Sequence, residues 1–387
     1  MKHVCLLGST GSIGSQVLDI IRSSQLYLLD AISFGHNIDK AKKIIDEFKP
    51  KLVVTPFLKE YLEIRKYIKK NKSDIKVSLN LDDVVNYSCE NQIVINALVG
   101  SCGLKPTLDS IRSGKVLLLA NKESLVMAGS LVKAELKKSN AVLIPIDSEH
   151  SALYQLILSV NYHDIKALFI TASGGALRDY PIERLRSVTK EDALKHPNWQ
   201  MGAKITIDSA TMMNKVFELV EAKFLFDKKE VYPLIDRTSK IHAAIELKNG
   251  NVIYHTSNND MHLPIRYAME YPNLSDYNES REVISSIEEF KYKFNLTEID
   301  EFRYPLIKYG KEILDDELFL GTIITVCNDV LVEAFLNNQI LYTDIERITT
   351  KIVNQNKDRF NDRTFNLKNI EYVKKTIIKE VRKCFGK

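Results

Sequence analysis

An apolar run at residues 142–146 leads into Pro145-Ile-Asp147-Ser148-Glu149-His150, where two acids stand at i and i+2. In an extended segment alternate side chains share a face, so both carboxylates would point to one side and call for a counter-charge. A divalent cation and a pair of solvated loop acids are the two readings that this motif leaves open. Downstream, residues 204–222 read KITIDSATMMNKVFELVEA. Ser209 has the type of a helix N-cap, and Asn214, Lys215 and Glu218 fall at i, i+1 and i+4 on one side of the helix that follows. A hydroxyl, an amide and an ammonium near a helix start suit a phosphate monoester. Glu218 would then join Asp147 and Glu149 in an all-oxygen donor set, which suits Mg²⁺ or Mn²⁺ better than zinc.

A second chemistry is written at the start of the chain. Gly8-Ser-Thr-Gly11-Ser-Ile-Gly14 follows a strand-like run and opens a helical one. Small residues there let backbone N–H groups and a helix N-terminus approach a pyrophosphate, although a purely structural turn uses the same glycines. The next strand ends in Ser33-Phe34-Gly35-His36-Asn37 and lacks the acid that holds a free ribose 2′-hydroxyl. With His36 and Lys40 in that neighbourhood, NADP is favoured over NAD; His36 itself also fits a solvated turn. Two further elements stay open between functional and structural readings. Thr171-Ala-Ser173-Gly174-Gly175 is an anion-binding loop or a plain turn. His196-Pro-Asn-Trp199-Gln-Met201-Gly202, which holds the only tryptophan, is a mobile lid or a loop anchored by a buried ring. His3, His163 and His255 read as structural or solvated.

These residues need a frame. Short apolar runs at residues 4–7, 52–54, 93–98, 116–120 and 142–146 alternate with helical patterns, as in β-α units with a parallel sheet. Ile13, Val17, Ile20 and Ile21 form one stripe on the first helix. We therefore expect an α/β protein with an N-terminal Rossmann-like parallel sheet over residues 1–147. A central α+β catalytic region should follow over residues 148–290, with strands near 167–172 and 242–247, and a C-terminal helical bundle over residues 301–387. Ile370, Val373, Ile377, Val381 and Cys384 recur as one buried helix face would, and the polar stretch 273–300 is the expected connection.

Composition narrows the classes. Hydrophobic residues make up 45% and charged residues 27% of the chain, which excludes disordered and collagen-like chains. The net charge of +4 is dispersed, so neither nucleic acid nor a membrane is an expected partner. Five cysteines (Cys5, Cys89, Cys102, Cys327, Cys384) include no C-x-x-C pair and suggest neither a disulfide framework nor a thiolate zinc site. A strand-like start without a charged and apolar leader leads us to expect a cytoplasmic protein.

Six motifs in order now carry a resemblance: GSTGSIG at 8–14, NALVGSCGLKPTL at 96–108, LANKESLV at 119–126, PIDSEHSA at 145–152, HPNWQMG at 196–202 and DSATMMNK at 208–215. Together they resemble the 1-deoxy-D-xylulose 5-phosphate reductoisomerase family, NADPH- and divalent-metal-dependent enzymes of non-mevalonate isoprenoid synthesis. The resemblance implies a nucleotide domain, a catalytic domain with a flexible lid, a C-terminal bundle and a homodimer. It also implies conversion of a sugar phosphate, 1-deoxy-D-xylulose 5-phosphate, to 2-C-methyl-D-erythritol 4-phosphate. Retro-aldol cleavage and re-addition is favoured there over a concerted ketol shift, and reduction of the resulting aldehyde follows.

Carried over by position, the family pattern puts NADPH on Thr10, Gly11, Ser12, Ile13, Gly35, Asn37, Asn121, Glu123 and Gly202. It puts the metal on Asp147, Glu149 and Glu218, which with Lys122 form the catalytic set. Lys122, Ser148, Glu149 and Glu218 would hold the reacting end of the substrate, while Ser173, His196, Ser209, Asn214 and Lys215 would hold its phosphate, under Trp199. Three places depart from the pattern: Ala176-Leu177 stands for Pro-Phe, Asp236-Arg-Thr-Ser239 for His-Pro-Gln-Ser, and Asn328-Asp329 for Asn-Glu. These departures keep two rivals in view, a metal-assisted NADP reductase of a related sugar phosphate and a non-catalytic nucleotide-binding regulator.

Overall fold

Continuous Val, Ile and Leu runs suit strands covered on both faces, and in the computed structural model they build one parallel sheet. Residues 1–87, 92–228, 230–273, 296–315 and 318–385 are described. The strands are β1 (Lys2–Leu7), β2 (Tyr27–Ser33), β3 (Leu52–Val54), β4 (Lys76–Ser78), β5 (Gln92–Asn96), β6 (Val116–Leu119) and β7 (Val142–Pro145). Their order is β4-β3-β2-β1-β5-β6-β7, every pairing parallel. The strand order therefore reverses between β1 and β5, and ligands of such sheets bind at the carboxyl ends of the strands beside that reversal. Gly8 leaves β1 and Ala97 leaves β5 at that edge.

The chain divides into two units, one made of Met1–Leu125, Gly129–Asp147 and Met261–Met269, the other of Val126–Ala128, Ser148–Asp260 and Glu270–Lys387. The second unit has its own sheet, β8 (Ile165–Ala172), β9 (Val231–Ile235), β10 (Ile241–Leu247) and β11 (Val252–Thr256), in the order β11-β10-β8-β9. β8 runs parallel to β9 and antiparallel to β10. The helix Ser148–Leu158 packs on β10 and β11.

Also in this unit, the helix Leu320–Leu336 is apolar nearly all round and correspondingly buried. It packs against Tyr342–Asn356 and Leu367–Lys383. Ile370, Val373, Ile377 and Val381 are buried on the last helix, while Cys384 is its half-buried cap. Most of the expected connection at 273–300 lies outside the described residues, as does Cys89. Cys5, Cys102, Cys327 and Cys384 are free thiols. Among the described residues no helix is long and apolar enough to cross a membrane.

Candidate active site

The turn after β1 is built from glycine for steric reasons. Gly8 has φ +84°, and a Cβ there would lie 2.5 Å from the Ala97 carbonyl oxygen; one on Gly14 would lie 2.3 Å from the Gly8 oxygen. The turn is tied to β2 by Ser9 N–H donating to Ser33 O at 2.8 Å and Gly8 N–H donating to Ser33 Oγ at 3.0 Å. Gly11 caps the helix Ser12–Ser23 without a side-chain bond, so its first N–H groups point to where an anion would sit. Thr10 and Ile13 are half-buried, and Gly11 and Ser12 are exposed.

Asn37 caps the helix Ile38–Phe48 by accepting the Lys40 N–H at 3.0 Å. Lys40 Nζ donates to Thr10 O at 3.1 Å and also to Ser15 Oγ, so one ammonium bridges the turn and the second strand's exit. His36, exposed beside half-buried Gly35, is 2.8 Å from Glu60 Oε1 and lies 3.9 Å, ring to ring, from Phe57. Asn121 and Glu123 fasten the opposite edge. Asn121 Nδ2 donates to Leu98 O and Gly100 O, both at 2.9 Å, and Glu123 Oε1 accepts the Gly100 N–H at 3.1 Å.

Asp147, Glu149 and Glu218 each offer an oxygen within 4.8 Å of the others. Asp147 does not alternate with Glu149 along a strand as expected: β7 stops at Pro145, and Ser148 opens a helix whose first turn holds Glu149. The convergence comes from a strand-to-helix turn rather than from an extended face. Lys122 Nζ, itself buried, donates to Asp147 Oδ2 at 2.8 Å, and Ser148 Oγ donates to Glu149 Oε2 at 2.7 Å. Glu218 is fully buried; Asn214 Nδ2 donates to its Oε1 at 2.5 Å and Lys215 pairs with its other oxygen. The i, i+1, i+4 spacing on the helix Met213–Phe226 thus brings amide, ammonium and acid together. Three carboxylates with no sulfur or imidazole among them fit a hard, oxygen-coordinated divalent cation.

Ser209 is not a helix N-cap. It lies inside the helix Ala203–Ala210, and the next helix is capped by Met212 in the left-handed region, φ +62°. Its position is nevertheless informative, because a Cβ on Gly175 (φ +75°) would lie 2.6 Å from Ser209 O. The Ser173 turn therefore rests on Ser209, while Lys215 Nζ bonds Thr171 O just before that turn. His196 Nε2 is 2.9 Å from Ser173 Oγ, and its Nδ1 accepts the N–H groups of Trp199 at 3.0 Å and Asn198 at 3.2 Å. Those two donors fix the tautomer with hydrogen on Nε2. Burial, aided by Arg178, pushes the ring's pKa down to about 4, so it is neutral near pH 7. Residues 195–202 form neither helix nor strand, and Gly202 caps Ala203–Ala210.

Two residues outside the anticipated set stand beside these groups. Asp236, where the family motif has histidine, is buried and accepts the N–H groups of Thr238, Lys240 and Ile241 at 2.9–3.0 Å. Its carboxylate closes the turn into β10. His242 on β10 is buried, with Nδ1 3.7 Å from Glu149 Oε1 and its ring 6.1 Å from that of Trp199. Its one sign in the sequence is that the family's His-Pro-Gln-Ser run, replaced here by Asp236–Ser239, is followed by a further histidine, which this chain keeps as His242.

Fold and site together define a Rossmann-type α/β enzyme of the oxidoreductase class. The comparisons make this specific. The family model for 1-deoxy-D-xylulose 5-phosphate reductoisomerase matches residues 4–129, and models for its C-terminal domains match 143–226 and 256–380. A 1-deoxy-D-xylulose 5-phosphate reductoisomerase of Bacillus subtilis is 40% identical over 366 residues, covering 92% of this chain and 93% of the relative. A crystal structure of DOX-P reductoisomerase in complex with NADPH, fosmidomycin and magnesium superposes with a TM-score of 0.90 at 31% identity, covering 99% of this chain and 98% of that one. The Zymomonas mobilis enzyme in complex with NADPH gives 0.84 at 27% identity, over 100% and 99%. The chain belongs to the 1-deoxy-D-xylulose 5-phosphate reductoisomerase family.

Proposed function

We propose that this chain converts 1-deoxy-D-xylulose 5-phosphate to 2-C-methyl-D-erythritol 4-phosphate with NADPH and Mg²⁺ or Mn²⁺, as a cytoplasmic homodimer. The convergence of Asp147, Glu149 and Glu218 within 4.8 Å carries the reading. These three acids would hold the cation; when bound, the metal supplies Lewis acidity at the keto and hydroxyl oxygens and NADPH supplies hydride. The remaining work falls to the chain's own side chains. Lys122, held by Asp147, presents an ammonium to the substrate's oxygens, and Ser148 and Glu149 orient the same end. At the other end Ser173, His196, Ser209, Asn214 and Lys215 bind the phosphate. The neutral His196 ring donates from Nε2 and holds the lid backbone at Nδ1, which sets Trp199 over the substrate and keeps water out.

For the cofactor, Thr10, Gly11, Ser12 and Ile13 offer backbone and hydroxyl donors to the pyrophosphate. Gly35, Asn37, Asn121, Glu123 and Gly202 complete the set. Asp236 is spent on backbone N–H groups, so its replacement of histidine leaves the three metal acids in place. The deciding experiment supplies purified protein with the substrate, NADPH and either metal, follows NADPH absorbance and identifies the product. NADPH loss with a different polyol phosphate would point to a related sugar phosphate. NADPH binding without turnover would point to a regulator. Light scattering on the same sample tests the dimer.

A further inference from the structure

The strand β10 carries an irregularity next to the acids. Ile241 pairs with Thr256 and Ala243 with His255, so two steps along β10 answer one step along β11, and the extra residue is His242. Such a bulge re-aims one side chain and recurs beside active sites. It is braced from two sides: Thr171 Oγ1 donates to Ile241 O, and the Asp236 carboxylate accepts the N–H groups of Lys240 and Ile241. The ring so placed is 2% exposed, and neither of its nitrogens has a hydrogen-bond partner. A buried polar group left unsatisfied destabilises the fold, so a ring held this way needs a reason. Glu149 stands beside it, with Oε1 3.7 Å from Nδ1 while Oε2 takes the Ser148 hydroxyl. On the ring's other contacts, Trp199 stands edge-on at 6.1 Å and His255 at 6.2 Å.

We propose that His242 is a positioning residue: its Nδ1 orients the Glu149 carboxylate for the metal, and its ring is the shelf on which the Trp199 indole closes. Outer partners that orient a metal's carboxylate or histidine ligands typically change metal affinity 10–100-fold. The proposal rests on the metal role proposed for Glu149, and the test separates the two. Mn²⁺ binding to the full-length, NADPH-loaded protein is measured from the free Mn²⁺ signal by electron paramagnetic resonance, without substrate. Trp199, the only tryptophan, reports the lid by its emission.

His242→Phe keeps a ring under the indole and removes the nitrogen. It should weaken Mn²⁺ about 10-fold or more and leave the Trp199 emission maximum unchanged. His242→Asn keeps a donor near the Nδ1 position and removes the ring. It should hold Mn²⁺ affinity within about threefold while shifting Trp199 emission to the red. Circular dichroism establishes that both variants fold, and His242→Gln replaces whichever does not. Wild-type Mn²⁺ affinity in His242→Phe, with Glu149→Gln weakened, overturns the proposal while leaving the metal site standing. Equal loss of Mn²⁺ binding in the Phe and Asn variants also overturns it, since the nitrogen would then not matter. Unchanged Mn²⁺ binding in Glu149→Gln overturns the metal reading and the proposal with it.

Discussion

Glu218 is fully buried on a helix interior and meets Lys215 and Asn214 there, so its charge is balanced by groups from its own helix. Glu218→Gln would remove one of three anionic donors without touching the Gly8 turn. We expect turnover to be lost while the NADPH dissociation constant stays within twofold to threefold of wild type, as fluorescence titration would show. Turnover at wild-type rate under limiting metal would make Glu218 a structural acid. Lys215→Ala should act differently, raising KM for the sugar phosphate. It would also take the ammonium away from a buried acid, a loss of about 3 kcal/mol visible as a lower thermal midpoint.

His196 gives a pH signature at the same scale. Its folded pKa is lowered from 6.5 to about 4, chiefly by burial, so the unfolded chain takes up the proton first as pH falls. The stability tied to the neutral ring is present above pH 6.5 and declines between 6.5 and 4. His196→Gln, which cannot titrate, should flatten that part of the plot of thermal midpoint against pH; an identical slope would remove the ring from the account.

At the scale of elements, the cofactor choice proposed for this chain rests on the exit of β2 and the helix Ile38–Phe48. No acid stands at Gly35-His36-Asn37 itself; of the acids nearby, Glu60 is engaged by His36 and Asp39 lies in the first turn of the helix Ile38–Phe48. Lys40, bridging Thr10 and Ser15, brings a cation onto the turn. NADPH should therefore bind more tightly than NADH, and Lys40→Ala should narrow the ratio by about tenfold, the scale of one charge-assisted hydrogen bond. Titration of both nucleotides checks it, and equal affinities in the wild type would refute it. The same element shows why some of the site was readable beforehand. The Gly8 turn, the Asn214-Lys215-Glu218 face and the stripe on the last helix depend on periodicity within a single element, which sequence spacing carries directly. The cap assigned to Ser209 failed because the chain inserts the helix Ala203–Ala210 and a left-handed Met212 first. The His242 bulge and strands β9 and β11 arise from pairing between distant segments, so local pattern held no sign of them.

At the scale of the whole molecule, the second unit is gathered from three separated stretches of chain, including only three residues, Val126–Ala128, from the region of the first sheet. Those three sit at a break in the helix Glu123–Leu136, where Ala128 leaves helical geometry (φ −150°, ψ 33°). A break frees carbonyls that need new donors, and Thr322 Oγ1 supplies one, donating to Met127 O at 3.2 Å. The approach depends on Gly321, where a Cβ would lie 2.1 Å from Val126 O. Backbone on both sides leaves nothing flexible to yield, so Gly321→Ala should cost about 1–3 kcal/mol through overpacking. For a unit of this size that is about 2–4 °C of thermal midpoint per kcal/mol. Thr325→Val one turn further on is the matched control. Thr325 is fully buried and its hydroxyl has no hydrogen-bond partner, so an apolar isostere removes an unsatisfied group and should leave the midpoint unchanged or raise it. If both substitutions lowered the midpoint equally, helix burial in general would account for the loss. A fall confined to Gly321→Ala would place it at the contact with Val126.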